Sequence, residues 1–198
     1  MTTDHPGRRI IHTFSSAVPL SYVLGILSWT ELRVLTFLGV LLAALLELDR
    51  LYFGNSYLDP LYRDYERGGI AGYAYAIFSI FLAVNLFRPE VAVVSILMLS
   101  FADPIVGIMG GNELRRVKRP HLLAGMFAIS FGVVVGSTYL FDAVDLSVAE
   151  AVAGGLGATV ADGIFVRIRG SIIDDNLTIP LYAGGLITLV GWVATMVV

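Results

Sequence analysis

The stretch from Glu90 to Gly110 reads EVAVVSILMLSFADPIVGIMG. Between Glu90 and Asp103 no residue carries charge, and apolar residues and glycines resume after Pro104. A run of about 20 predominantly apolar residues is the length of a helix that crosses a bilayer. Asp103 interrupts it. An ionised side chain in such a helix costs about 2.5–3.5 kcal/mol on insertion scales, so it faces the bundle interior and marks a functional position.

Similar runs fall near 10–28, 32–48, 69–87, 121–141, 147–167 and 177–198. With 90–110 they predict an all-α polytopic bundle of about seven spans, one integral membrane domain over 1–198. The composition agrees. Hydrophobic residues make up 57% of the chain and charged residues 15%, with a mean hydropathy of +0.80, whereas soluble domains are about a quarter charged. The absence of cysteine excludes disulfides, thiolate metal sites and cysteine nucleophiles. Met1 to Ile11 is polar and basic, and the apolar stretch behind it has no small-residue cleavage site, so a retained first span is expected. The sixth run is rich in Gly and Ala. Small residues let helix backbones approach closely, which predicts a central place for it.

Eleven of the 13 basic residues fall in alternate connections: Arg8 and Arg9; Arg50, Arg63 and Arg67; Arg115, Arg116, Lys118 and Arg119; Arg167 and Arg169. Only Arg33 and Arg88 fall in the others. By the positive-inside rule the N-terminus is cytoplasmic and the location is a cell membrane.

This topology brings the unusual polar residues to one level, the cytoplasmic face: His12, Glu47, Arg50, Asp103, Asp162, and Asp174, Asp175 and Asn176. Three features suit phosphate handling. Asp103-Pro104 is followed by Gly107, Gly110 and Gly111, and glycines let backbone amides approach a phosphate. Asp174-Asp175-Asn176 opens the last run, where oxygen ligands suit Mg²⁺ and a positive helix end suits phosphate. Arg115, Arg116, Lys118 and Arg119 form a basic run that suits a polyphosphate. Each feature also has a plain reading: a helix kink, an N-cap, a loop on lipid headgroups. Glu47 and Arg50, three residues apart, suit a mutual ion pair.

The segments Arg8-Arg9-Ile10-Ile11-His12, Ala102-Asp103-Pro104 with its trailing glycines, and Asp174-Asp175-Asn176-Leu177-Thr178-Ile179-Pro180-Leu181 resemble the CTP-dependent lipid-alcohol kinases. That family includes dolichol, polyprenol and phytol kinases and the CTP-dependent diacylglycerol kinase. The resemblance implies transfer of the γ-phosphate of CTP to a membrane lipid alcohol, with Mg²⁺ and without nucleic acid. It implies Asp103, Asp174, Asp175 and Asn176 on the metal. Arg115, Arg116, Lys118, Arg119, Gly107, Gly110 and Gly111 would bind the nucleotide, with Asp162 or Asp103 on the lipid hydroxyl and Arg9, His12, Glu47 and Arg50 as further candidates. The chain departs from the family where Ala124 replaces an expected Glu before Gly125, and where Asp162 replaces a common Glu. A membrane cytidylyltransferase making a CDP-lipid, or a non-catalytic relative that binds lipid or nucleotide, remains open at this level.

Overall fold

The computed structural model describes residues 12–54, 69–110, 117–164, 166–168 and 171–197. They form α1 (Ala17–Val23), α2 (Trp29–Leu48), a π-helical turn (Asp49–Phe53), α3 (Gly72–Leu86), α4 (Pro89–Leu97), a second π-helical turn (Met98–Ala102), α5 (Asp103–Gly110), α6 (Pro120–Leu140), α7 (Val148–Gly163), β1 (Val166–Ile168), β2 (Ser171–Ile173) and α8 (Asp175–Val197). Three helices are long and apolar enough to cross a membrane: Pro89–Gly110, Pro120–Leu140 and Asp175–Met196; Gly72–Leu86 is a shorter apolar helix.

Helix starts follow local chemistry. Ser28 and Glu31 form a capping box at α2, and Ser147 and Glu150 form another at α7. Each satisfies N–H groups that the first turn leaves without a partner. α4 and α6 begin on Pro89 and Pro120, where a missing N–H costs nothing.

Two prolines inside apolar helices have visible consequences. Pro180 lies within α8 and cannot donate to the carbonyl of Asn176 four residues earlier. Ser79 of α3 donates to that oxygen instead, at 2.7 Å. Pro104 likewise deprives the Ser100 carbonyl of its donor. The chain widens into the π-helical turn just before it, while Asp103 keeps helical angles of φ −59° and ψ −52°.

Three expectations are corrected here. The first run is no continuous span among the described residues. Ser15 and Ser16 donate their hydroxyls back to the carbonyls of His12 and Thr13, α1 has only seven residues, and Gly25 turns the chain at φ +69°. The Gly/Ala-rich helix is not the centre of the bundle. The helix from Pro89 is, with Val91 to Leu99 buried on every side, whereas α7 exposes a stripe of Val148, Val152, Leu156, Val160 and Ile164. Finally, α7 stops at Gly163, short of 167, and an antiparallel hairpin follows, with Val166 paired to Ile173 and Ile168 to Ser171.

Small residues still set the approach of α7 to its neighbours. A side chain on Gly157 would sit 2.6 Å from the carbonyl oxygen of Tyr182 on α8, and one on Gly155 would sit 3.0 Å from the Phe127 ring on α6. At the end of the bundle away from Asp103, Arg88 reaches Glu90 at 3.2 Å and Glu150 at 3.3 Å.

Candidate functional site

Asp103 opens α5, Asp162 lies one residue before the last of α7, and Asp175 opens α8. The three helix ends meet, and each acid offers a carboxylate oxygen within 4.8 Å of the others. Unscreened, each pair of charges at that separation repels by about 3.5 kcal/mol at an effective dielectric near 20. Such a group needs positive charge close by, or one of its members takes up a proton.

Lys118 supplies one positive charge. Its ammonium forms an ion pair with Asp162 Oδ1. Its backbone N–H donates to the Gly163 carbonyl at 3.1 Å, and Val117 and Ile164 form an antiparallel bridge beside it. The lysine is therefore fixed to the end of α7 by both main chain and side chain. Burial pulls its ammonium toward the neutral form, but the carboxylates of Asp162, Asp175 and Asp103 together outweigh that pull and raise it above the ordinary lysine range.

The Asp162 side chain is fully buried. Its second oxygen, Oδ2, has no hydrogen-bond partner among the described residues. A buried carboxylate oxygen without a donor is costly. A hard divalent cation bound by carboxylate oxygens fits this position and this donor set. His12 is buried, with Nδ1 3.9 Å from Asp103 Oδ2. Ser15, one turn further on, hydrogen-bonds Ser100 of the π-helical turn at 2.7 Å, which holds the His12 segment against Asp103.

Asp174 and Asn176 turn elsewhere. Asp174 Oδ1 accepts from the Asn176 backbone N–H at 3.0 Å, at the start of α8. The Asn176 amide donates to the Gly72 carbonyl at 3.2 Å. Successive helical residues point about 100° apart, so Asp175 faces the other two acids while its neighbours face α3. Glu47 and Arg50 also stand apart from the acids. Arg50 bonds both Glu47 oxygens, at 2.6 and 3.2 Å, and donates to the Gly69 carbonyl. Glu47 accepts from Ala71, the N-cap of α3, at 3.2 Å. This pair fastens the end of α2 to the start of α3.

Among the glycines, Gly107 has open space where a side chain would begin, while a side chain on Gly110 would meet Leu122 at 2.9 Å. Gly110 thus permits the contact of α5 with α6. Arg119 is the exposed N-cap of α6. Arg9, Gly111, Arg115 and Arg116 lie outside the described residues.

Sequence reasoning named all three acids but drew the group differently, with Asp174 and Asn176 in it and Asp162 apart. It also missed the capping boxes, which the Ser-x-x-Glu spacing at Ser28 and Ser147 announces. The pairing of Lys118 with Asp162, 44 residues apart in sequence, has no local signal. Compared with protein-family models, with curated proteins and with solved structures, the chain matches none.

Proposed function

We propose that this chain is a polytopic membrane phosphotransferase, with about seven crossings, the first made by a broken helix, and a cytoplasmic N-terminus, that moves the γ-phosphate of a nucleoside triphosphate, CTP in our reading, to the hydroxyl of a long-chain lipid alcohol. The observation that carries the reading is the meeting of Asp103, Asp162 and Asp175 beside Lys118 at one end of the bundle. Phosphoryl transfer asks a protein for positioning and charge neutralisation more than for covalent chemistry. A buried group of acids among apolar helices suits both needs.

Asp103, Asp162 and Asp175 would hold Mg²⁺, which when bound neutralises charge on the phosphates. The basic run Arg115, Arg116 and Arg119 would supply the positive charge for the triphosphate, the role the resemblance implies for it. Asp103, the more accessible of the Asp103–Asp162 pair, accepts the proton of the lipid hydroxyl, and His12 beside it orients the carboxylate. The lipid tail stays in the bilayer, and its hydroxyl meets the acids at the cytoplasmic level.

The test is transfer of label from γ-labelled CTP or ATP to a panel of polyprenols and diacylglycerols, using purified protein in liposomes with Mg²⁺. Label is expected on a lipid, with Asp103→Asn lowering the rate by about 10²–10⁴-fold and leaving the helical circular dichroism unchanged. Wild-type turnover by that variant sinks the assignment. Pyrophosphate release with a CDP-lipid product would move it to cytidylyl transfer.

A further inference from the structure

We propose that the π-helical turn Met98–Ala102 is a positioning element that aims Asp103 at Asp162 and Asp175. The inference rests on the reading above that these acids form the working centre, and adds how the central helix delivers one of them. Upstream, the rotation of the helix is fixed, because Val91 to Leu99 are buried on every side. Downstream, α5 has distinct faces: Val106 is buried, Ile105, Ile108 and Met109 are exposed, and Gly110 lies against Leu122. The turn joins the two. In it the Asp103 N–H reaches the Met98 carbonyl, five residues back and not four. Each residue of a regular helix advances about 100°, so the one extra residue holds all that follows about 100° behind. A regular helix drawn through the same residues would carry Asp103 into the direction that Pro104 now takes, away from the other two acids.

Proline alone does not explain the turn. Its ring crowds the carbonyl four residues back, yet Pro180 sits inside α8 with no such widening. At Pro104 the widened turn is also held from outside. Ser100 is fully buried. Its hydroxyl donates to the Ile96 carbonyl at 2.9 Å and meets the Ser15 hydroxyl at 2.7 Å. Turns of this kind are rare within α-helices and gather at functional sites. Met98, Leu99, Ser100 and Ala102 are buried, and Phe101 is half-buried, so Phe101 is the residue whose loss disturbs the core least. Deleting it leaves the Met98 carbonyl four residues before Asp103. The same bond then becomes an ordinary α-helical one, and Asp103 keeps its direction. Adding a residue instead turns Asp103 away and brings Ala102 into its place.

The experiment reads where Asp103 points by cross-linking in this cysteine-free chain. Full-length Asp103→Cys/Asp175→Cys in detergent is treated with a short bifunctional methanethiosulfonate, and linked peptides are measured by mass. The pair is expected to link, and to link as fast when Phe101 is deleted. Phe101→Ala is the control for loss of the ring alone. One alanine inserted after Phe101 is expected to slow the link by on the order of tenfold or more. In that same insertion Ala102→Cys/Asp175→Cys is expected to gain the link, which shows a folded protein with its helix turned. With Asp103 intact, transfer from the labelled triphosphate is kept on deletion of Phe101 and falls by on the order of 10²-fold on insertion. Deletion and insertion that slow the Asp103→Cys link alike, both folded by circular dichroism, overturn the proposal. So does an insertion that leaves the link unchanged. A parent pair that never links overturns the meeting of the acids and the inference with it. Linking in the expected pattern, with no transfer by wild type from any triphosphate, keeps the inference and rejects the kinase.

Discussion

At the residue scale, neighbours in sequence divide their work. Asp174, Asp175 and Asn176 occupy consecutive positions, yet Asp175 joins the acids while Asn176 and Asp174 fasten α8 to α3 and to itself. Ser79 illustrates how one hydroxyl serves a proline. Ser79→Ala leaves the Asn176 carbonyl buried and without that donor, and a loss of about 1–3 kcal/mol is expected, read as a lower unfolding midpoint in detergent. Lys118 gives a pH dependence. Its folded value lies above the ordinary 10.5, so its contribution is complete below the unfolded value and disappears as pH rises through the folded one. The difference in unfolding midpoint between wild type and Lys118→Met is therefore expected to narrow as pH rises above about 10. A difference that persists unchanged above about pH 12 would show that the ammonium is not held by the acids.

At the scale of elements, charged residues act as fasteners between helix ends. The buried Glu47–Arg50 pair joins α2 to α3. Removing one partner strands the other, so Glu47→Ala is expected to cost about 3–5 kcal/mol. Replacing both with apolar residues of similar size, Glu47→Leu with Arg50→Met, is expected to recover most of that loss, because no uncompensated charge remains. Thermal unfolding of the two variants side by side measures the difference; equal loss in both would mean that the bonds to Gly69 and Ala71 matter more than the charges. The i,i+3 spacing of this pair was legible in the sequence. Its attachment to the chain more than 18 residues on was not, since a hydrogen bond to a main-chain atom leaves no mark in residue type.

For the whole molecule, the arrangement of apolar helices and basic connections yields a test of topology. The chain has no cysteine, so single cysteines can be introduced without background. Under the proposed orientation, Ser28→Cys and Asp142→Cys react with an impermeant maleimide on intact cells. Gly54→Cys and Arg119→Cys react only after permeabilisation. Labelling of Arg119→Cys from outside would invert the orientation and put the acidic centre on the wrong side for a cytoplasmic nucleotide.

The positions of the apolar helices were legible in the chain alone, because length and hydropathy are sums over neighbouring residues and need no knowledge of distant ones. Six of the seven expected runs have a long helix inside them. The sequence also placed Asp103, Asp162 and Asp175 among its candidates, together with Asp174 and Asn176, since an acid in or beside an apolar stretch is conspicuous wherever the helix goes. The first run holds no long helix among the described residues, and Gly25 turns the chain in the left-handed region, a local effect that hydropathy does not register. Only the tertiary structure decided which helix is central, which face of α8 meets the other acids, and that Lys118 belongs to Asp162. Those outcomes depend on helix rotation and on contacts between residues far apart in the chain. A change of one position turns a side chain through about 100°, and hydropathy is blind to it.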